Sequence, residues 1–501
     1  MNARRWFLLL LSFFVVIPAS AHVGSPDVYA DAEAGPYRLS IVIRPALVIP
    51  GVADIEVRAQ SPEVQRITIT PVPLTGEAAS HPPVPDLMQQ PSNDTSYFTG
   101  HLWIMATGSW QIRFAVTGAQ GEYTVSIPLP ATAMATRTMQ RGLGTLLALL
   151  GILLVVGMIG IVGAAAREAK LPPGATPPPA NRRAARIAMA VTAVVLVAGV
   201  FLGNVWWKSE AASYSEYIYK PLEMNASLVS ASLQAPATLH LKLHDPGWFS
   251  QRRLDDFIPD HDHLMHLYMI RWPQMDAVFH LHPQPADAGA FSLRLPSVPA
   301  GDYRLYADVV HKNGFPETIV GSITVPAIAG VPLAGDDAAG TAPPVTSQTA
   351  WSASGDRIFR LPDGYTMIWR SPGKLVAKAP QSFQFDLLDR SSKPATDEAL
   401  YMGMLGHAAF VKTDGSVFAH IHPNGTMAMA ALMMANPQQR MQATNSSSMP
   451  GMAMPTEHLP ASVGFPYGFP STGRYRIFVQ MKHGSTVETG IFDADVAGAT
   501  N

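Results

Sequence analysis

The chain has 501 residues, which is too long for a single packed core and fits the usual size of about three domains. Its net charge of −2 excludes the basic surface of a nucleic-acid-binding protein. Its lack of cysteine excludes disulfides, thiolate metal sites and cysteine nucleophiles. Because 48% of the residues are hydrophobic and only 14% are charged, the composition indicates membrane segments within a globular chain.

Residues 1–21 are typical of a secretory signal peptide, with two early arginines, an apolar stretch at 6–17 and small residues at 19–21. Cleavage after this segment would make His22 the first residue of the mature chain. Its α-amine and imidazole could then chelate one Cu(II) ion. In this respect His22 resembles the N-terminal histidine of small periplasmic copper carriers of the CopC type, which implies a copper ligand. The alternative is a histidine that merely follows a cleavage site.

A β-rich unit is predicted over 22–135, where short segments with strand-forming residues are broken by Pro and Gly. Short strands at this spacing are typical of an immunoglobulin-like sandwich. The segments best suited to strands lie at 37–43, 53–59, 65–70, 96–104, 108–116 and 122–127.

Two apolar segments, 142–166 and 187–207, are each long enough to cross a bilayer as a helix. The loop between them, 167–186, carries five basic residues and one acidic residue. By the positive-inside rule this loop is cytoplasmic, so the regions before and after the two helices face outward. The sequence therefore predicts a two-span protein of a bacterial inner membrane, with periplasmic N- and C-terminal domains. Two buried core helices are the alternative.

Residues 213–326 and 351–497 are predicted to form a second and a third β-rich unit. The segment between them, 327–350, is rich in Ala, Gly, Pro, Ser and Thr and is predicted to be a linker. The expected architecture is mainly β: three immunoglobulin-like β-sandwich domains outside the membrane and a two-helix transmembrane hairpin.

A histidine-bearing β-hairpin occurs once in each of the last two units. One histidine precedes the turn and a His-x-His-Pro segment follows it. Side chains alternate along a strand, so the two later histidines share a face, with the earlier one opposite them on the partner strand. Three imidazoles on one patch predict a transition-metal site in each unit. These candidate ligands are His266, His280 and His282 in the first copy and His407, His420 and His422 in the second.

The similarity between the two units extends upstream of the hairpin. His261 and His263 of the first copy correspond to Met402 and Met404 of the second. All four side chains can bind copper, and the exchange of imidazole for thioether favours Cu(II) or Zn(II) in the first copy and Cu(I) in the second. Downstream, a histidine follows a Gly-x-Tyr-Arg segment at the same spacing in both copies. These further candidate ligands are His311 and His483.

Ten methionines lie between positions 402 and 454. Those at 427–434 are expected to pack in the interior. Met449, Met452 and Met454 lie instead in a Gln-, Ser- and Pro-rich insertion that the first copy lacks. Because this polar segment has neither the period nor the neighbours of a core strand or helix, we predict that its methionines capture Cu(I).

The His-x-His-Pro strands at 280–283 and 420–423, with the Gly-x-Tyr-Arg strands at 301–304 and 473–476, resemble the YtkA-like and FixH-like periplasmic β-sandwich domains. Some of these domains accompany copper handling. The resemblance implies a duplicated extracytoplasmic sandwich with a role connected to copper. The membrane hairpin and the methionine-rich insertion lie outside it.

The sequence favours a membrane-anchored extracytoplasmic protein that sequesters copper or delivers it to a copper-dependent membrane enzyme or a metal transporter. Imidazoles alone also suit zinc. One alternative is an assembly or scaffold protein for a membrane complex, such as a copper oxidase, with histidines that make structural hydrogen bonds. Another is a metalloenzyme. Against an enzyme, Asp260 and Asp262 beside the first cluster are replaced in the second copy by Tyr401 and Gly403, whereas a catalytic acid or base should be retained.

Overall fold

The structure of the chain is a computed structural model, and it has two compact units. The first unit takes its residues from 1–131, 220–247 and 251–501, and the second from 132–219 and 248–250. His22, the predicted signal peptide and the methionines at 449, 452 and 454 lie outside the described residues. The structure describes residues 26–61, 63–136, 138–229, 236–248, 252–345, 355–370, 373–437 and 459–498.

The first unit begins with two four-stranded antiparallel sheets, of order β1-β2-β3-β6 and β5-β4-β7-β8. Every second residue of β3 is buried, as expected for a strand with one face on a core. Ile69 of β4 packs against Gly100 of β6, so the two sheets approach closely there. The strands are β1 (Val28–Ala34), β2 (Tyr37–Arg44), β3 (Gly51–Ala59), β4 (Val64–Pro73), β5 (Asp86–Leu87), β6 (Tyr97–Ile104), β7 (Gly108–Gly118) and β8 (Gly121–Ala131).

The second unit contains two long helices, α1 (Arg141–Glu168) and α2 (Pro179–Glu216). Both are long and apolar enough to cross a membrane, and their apolar side chains are mostly exposed. They pack closely on each other at Gly163, where an added Cβ would overlap the side chain of Met189. The two predicted apolar helices are therefore present, and α2 extends nine residues beyond the predicted end at 207.

Back in the first unit, residues 223–341 form a four-stranded sheet of order β14-β15-β10-β9 and a six-stranded sheet. The larger sheet has the order β11-β16-β12-β13-β18, with β17 paired to β16. The segment predicted as a linker thus supplies the edge strand β18. The strands are β9 (Glu223–Val229), β10 (Thr238–His244), β11 (Phe257–Ile258), β12 (His266–Arg271), β13 (Ala277–Leu281), β14 (Gln284–Asp287), β15 (Ala290–Arg294), β16 (Gly301–His311), β17 (Pro316–Val325) and β18 (Ala338–Thr341).

Residues 357–497 repeat this plan with a four-stranded sheet of order β19-β20-β22-β26 and a six-stranded sheet. The larger sheet has the order β21-β28-β27-β24-β25, with β23 paired to β27. The elements are β19 (Arg357–Arg360), β20 (Thr366–Arg370), β21 (Leu375–Val376), β22 (Gln381–Leu388), β23 (Glu398–Ala399), β24 (His407–Lys412), β25 (Phe418–Ile421), helix α3 (Met429–Ala435), β26 (Ser462–Tyr467), β27 (Gly473–His483) and β28 (Thr486–Ala497). The chain is mainly β, as the sequence predicts.

We call residues 223–341 the first repeat and 357–497 the second repeat, because their registers match. His266 of β12 pairs with Asp308 of β16, and His407 of β24 pairs with Gln480 of β27 at the corresponding place.

The two six-stranded sheets pack face to face. In β12, Leu267 and Met269 enter the core of their own repeat, whereas Tyr268 and Ile270 join a cluster shared with the second repeat. The Tyr306 ring stacks on Phe418 across this interface, with 4.3 Å between centroids. Because side chains alternate, the strands of the two hairpins are buried on both faces.

The N-terminal strand β1 attaches to the loop that follows His422. The Asp31 amide donates to the Asn424 carbonyl (3.0 Å), and the Thr426 amide donates to the Tyr29 carbonyl (3.0 Å). The Tyr29 ring packs into the core of the second repeat. At Gly425, where φ is 130°, an added Cβ would overlap the Tyr29 carbonyl oxygen. Only glycine fits this approach of two backbones.

Gly425→Ala should lower the free energy of unfolding by about 2–3 kcal/mol, because it combines a disfavoured φ with the overlap. Gly76→Ala is a matched control, since Gly76 also has a positive φ (89°) but has nothing near the new Cβ. It should cost only about 1 kcal/mol. Urea denaturation of the full chain in detergent measures both values. Equal losses would contradict the proposed close contact of β1 with this loop.

Candidate metal centre

The histidines of both hairpins lie on the faces that the two six-stranded sheets turn toward each other. On β13, Phe279 and Leu281 point into the core of the first repeat, so the alternation places His280 and His282 at the interface. His266, His280, His282, His407 and His422 are all buried. The sheet packing therefore removes imidazoles of both repeats from water.

Two equivalent tight turns lead into the hairpins. In the first, the Asp260 and His263 backbones exchange hydrogen bonds of 2.9 and 3.0 Å. Tyr401 and Met404 do the same in the second, at 2.7 and 3.1 Å. His261 adopts a left-handed φ of 48°, which is uncommon for a residue other than glycine. The strained turn directs the His261 ring toward the second repeat, 4.9 Å from the ring of His407.

The first histidine group consists of His266, His280 and His282. One ring nitrogen of each lies within 4.8 Å of those of the other two. His266 Nδ1 is 3.2 Å from His280 Nε2. His282 Nε2 is buried and has no hydrogen-bond partner among the described residues. The structure thus brings together the three ligands predicted in the first copy.

Each ring of the first group donates its other N–H outward to an oxygen. His266 Nε2 donates to the Asp260 carbonyl at 2.9 Å. His280 Nδ1 donates to Gln480 Oε1 at 2.8 Å, and His282 Nδ1 donates to Asp337 Oδ1 at 3.0 Å. These bonds fix the tautomers, so the lone pairs of all three rings are on the inner nitrogens. Metal-binding histidines in proteins are held by outer acceptors of this kind.

The second group consists of His261, His407 and His422, whose ligand nitrogens also lie within 4.8 Å of one another. His422 Nδ1 donates to the Met427 carbonyl at 3.0 Å. Its Nε2 and both ring nitrogens of His407 are buried without a hydrogen-bond partner in the described part of the chain. The group draws on both repeats, because His261 comes from the first.

His420 does not take the place that the sequence predicts for it beside His407 and His422. Its Nδ1 lies 3.1 Å from Asp308 Oδ2 of the first repeat, and His261 occupies the third position instead. The reason is the sheet interface, which brings the turn of one repeat against the hairpin of the other. The His420 ring lies between the two groups, with its centroid 5.6 Å from those of His266 and His407.

The contacts across the interface are reciprocal. Asp308 on β16 reaches His420 of the second repeat. Gln480, its equivalent on β27, reaches His280 of the first repeat. Gln480 and Asp337 are partners of these rings that the histidine pattern of the sequence does not predict. A signal for Gln480 was available, since it occupies the place of Asp308 when the Gly-x-Tyr-Arg strands are aligned.

The remaining sequence candidates have different places. The His263 ring stacks on His282, 3.9 Å between centroids. Met402 packs near Ala338, which pairs with His280 across the sheet. Met404 is fully buried, and Met427 and Met429 are buried as expected.

His311 and His483 do not join either group. Both have the strand parity of residues that point into their own repeat's core, such as Val309 and Met481, so they lie on the opposite faces of β16 and β27. Their contacts are with carboxylates: Asp256 and Glu317 for His311, and Asp363 and Asp397 for His483.

Burial keeps these imidazoles neutral. It lowers the pKa of His266 to about 3 and that of His261 to about 4, and the nearby His420 ring adds to both shifts. Neutral imidazole is the form that binds metals. Burial, with repulsion from neighbouring imidazoles, also holds the pKa values well below the usual range at His280, His282, His407 and His422.

Comparison with known proteins adds a family match for the two repeats. A family model described as "Domain of unknown function (DUF8832)" matches residues 223–326 and 360–498. No curated protein matches the chain in sequence. Among solved structures, the chain is similar to the fibronectin(III)-like modules of CbhA from Clostridium thermocellum, at 6% identity over 57% of this chain and 94% of that chain (TM-score 0.20). It is also similar to an ICAM-5 D1–D4 ectodomain fragment, at 8% identity over 93% of this chain and 78% of that chain (TM-score 0.16). Likenesses this distant carry no information about function.

The stability of the metal-free chain should fall as the pH is lowered from about 6.5 toward 4. Histidines of the unfolded chain bind protons in this range, whereas His266 and His261, with pKa values of about 3 and 4, stay neutral when folded. Each such histidine steepens the pH dependence by up to about 1.4 kcal/mol per pH unit.

Denaturation at pH 7, 6 and 5 measures this slope. His266→Gln should reduce it by one histidine's share, whereas His240→Gln, at an exposed position of β10, should leave it unchanged. A wild-type stability independent of pH between 7 and 5 would show that the imidazoles are not buried in neutral form.

Proposed function

We propose that the two repeats bind copper at their shared histidine interface, and that the protein sequesters this metal or delivers it to a partner. One observation carries the proposal: the buried imidazoles of each group bring ring nitrogens within 4.8 Å of one another, and in the first group oxygen acceptors hold the outer N–H groups. We infer two ion positions, one at each histidine group.

The energetic support is the cost of the metal-free arrangement. A buried polar atom without a partner costs about 1–3 kcal/mol. Several ring nitrogens at this interface are buried with no hydrogen-bond partner among the residues that the structure describes: they belong to His282, His407, His420 and His422. Structural histidines in a core would be expected to satisfy both ring nitrogens. A bound metal ion would supply the missing partner, and the lowered pKa values mean that it would not have to displace protons at neutral pH.

Copper is the metal that we propose. Imidazoles suit both copper and zinc, and the order of stability of divalent ions favours copper. Met402 packs with Ala338, which pairs with His280, and the chain has no cysteine to bind the metal by thiolates. Imidazole and thioether ligands without thiolate suit release to a partner. The methionines at 449, 452 and 454 would act as a Cu(I) capture segment, and His22 as a further Cu(II) ligand.

The location that we propose is the outer face of a bacterial inner membrane. The support is the pair of exposed apolar helices α1 and α2 and the basic loop between them. In this arrangement both repeats face the periplasm, where a copper-dependent membrane enzyme or a metal transporter would be the partner. The resemblance to YtkA-like and FixH-like domains is consistent with this location and remains part of the proposal.

Copper titration of the metal-free full chain in detergent tests the function. Wild type should bind two ions per chain at the histidine interface more tightly than micromolar. His280→Gln with His407→Gln removes one ligand from each group and should weaken binding at least about 100-fold. The control pairs His240→Gln with His244→Gln, at two exposed histidines of β10, and should change nothing. Zinc bound in preference to copper would change the metal assignment. No ion bound by folded wild type would instead favour the scaffold alternative.

Gln480 offers a test that removes no ligand. Gln480→Leu should weaken copper binding about 10-fold, because His280 Nδ1 loses its 2.8 Å contact with Gln480 Oε1 and keeps only the Tyr401 hydroxyl at 3.2 Å. Gln480→Glu keeps an acceptor in place and should retain wild-type binding or better. If both variants bind copper equally, Gln480 does not orient the His280 ring.

A further inference from the structure

A third group of ligand atoms lies in the second repeat, away from the histidine interface. Atoms of Asp363, His483 and Glu488 lie within 4.8 Å of one another. His483 is 7% exposed and Glu488 is 8% exposed. His483 has the core-facing parity of Met481, so this group is on the opposite face of β27 from the interface.

The first repeat contains the same group in its strand register. Glu317 pairs with Val309, which lies two residues before His311. Glu488 pairs with Met481, which lies two residues before His483. Asp256 and Asp397 likewise each precede a residue that pairs with the histidine of their repeat. The equivalent sets are Asp256, His311 and Glu317 in the first repeat and Asp397, His483 and Glu488 in the second.

An arginine balances the charge in the first repeat. The Arg252 guanidinium donates to Glu317 at 2.5 Å and to Asp245 at 2.9 Å, and its side chain is largely buried. His311 is satisfied on both sides, with Nδ1 2.7 Å from Asp256 and Nε2 2.9 Å from Glu317. The first repeat thus neutralises its carboxylates with a side chain of its own.

The second repeat has an additional acid instead of the arginine. Among the described residues, no lysine or arginine forms an ion pair with the carboxylates of Asp363, Asp397 or Glu488. His483 Nε2 is buried and lies 3.1 Å from Asp363 Oδ2, but the two do not form a hydrogen bond within this part of the chain. Within the described residues, the second repeat therefore has no basic side chain equivalent to Arg252 at this group.

We propose that Asp363, His483 and Glu488 bind a divalent cation such as Zn²⁺. The cation would take the place that the Arg252 guanidinium has in the first repeat. Two carboxylates and one imidazole form a ligand set that zinc accepts, with a position left for water. It lacks the sulfur ligands that would select Cu(I). This site is independent of the copper proposal.

The surroundings of His483 fit a ligand rather than a simple ion pair. Its Nδ1 is 3.3 Å from Asp397 Oδ2, which is the carboxylate–histidine–metal arrangement and leaves Nε2 for the ion. The Tyr365 ring stacks on the imidazole at 3.9 Å between centroids, and its hydroxyl donates to Asp397 Oδ2 at 3.1 Å. The ring is therefore held in one orientation.

The ion would have a structural role, because its ligands come from separate segments. His483 ends β27 and Glu488 lies near the start of β28, while Asp363 belongs to the turn between β19 and β20. A cation would join this turn to the β27–β28 hairpin. In the first repeat, Arg252 makes the corresponding link to Glu317 without a metal.

The test is titration of the metal-free full chain with Zn²⁺, with calorimetric stoichiometry and the melting temperature as readouts. Asp363→Asn with Glu488→Gln should lose one Zn²⁺ per chain relative to wild type and lose part of the zinc-induced rise in melting temperature. The chain with His280→Gln and His407→Gln should retain this ion, so a failure of the copper proposal would be distinguishable. If the chain with His280→Gln and His407→Gln does not fold, the comparison of the Asp363→Asn, Glu488→Gln chain with wild type still tests the zinc site.

The sign of the effect without metal separates a metal site from a structural ion pair. Glu488→Gln alone should raise the melting temperature of the metal-free chain, because it relieves repulsion with the Asp363 carboxylate, and it should lose one Zn²⁺ per chain. The matched variant Glu317→Gln in the first repeat should lower the melting temperature, because Arg252 loses a partner, and should leave zinc binding intact. Glu488→Gln that lowers the melting temperature and leaves the zinc stoichiometry unchanged would overturn the proposal.

Discussion

The histidine interface depends on one constraint: its strands are covered on both faces, so their imidazoles are removed from water. The hairpin strands of each repeat lie between their own core and the other repeat, so the first five residues of β12 and of β24 are all buried. On the core face these side chains are apolar, such as Leu267 and Phe410. On the other face, histidines stand beside Tyr268 and Phe418. Protonation of a ring buried there costs free energy, and its lone pair is shielded from solvent.

Because the two repeats are equivalent, the interface is nearly symmetric in contacts but not in chemistry. Asp308 and Gln480 occupy the same position and each reaches a histidine of the opposite repeat, as in the self-complementary contacts of a two-fold dimer. The turns differ, since His261 of one corresponds to Met402 of the other. The two repeats form a paired scaffold, and different residues at matched positions make its two halves chemically different. The exchange of Arg252 for a further acid at the His483 group follows the same pattern.

Further hydrogen bonds around the histidines hold the elements of the interface together. Arg476, which is buried, binds Asp493 and donates to the Met275 and Pro343 carbonyls of the neighbouring segment at 2.9 and 2.8 Å. The N-terminal strand β1 holds the loop after His422 by backbone hydrogen bonds. Asp260 Oδ1 accepts the Ala430 amide at 2.6 Å and so connects the first turn to helix α3. Ligands on sheets and turns supported in this way keep their positions better than ligands on free loops.

The sequence by itself determined the features that depend on local periodicity. Strand alternation placed His280 and His282 on one face, the turn placed His266 opposite them, and composition marked the two apolar helices. Only the tertiary structure decided which histidines meet, because the contact between the repeats joins residues more than a hundred positions apart. In the folded chain, the His261 ring lies beside His407 and the His420 ring contacts Asp308. His311 and His483 lie on the opposite strand faces. The tertiary structure also made Gln480 and Asp337 partners of the rings, since no local pattern records how two sheets pack.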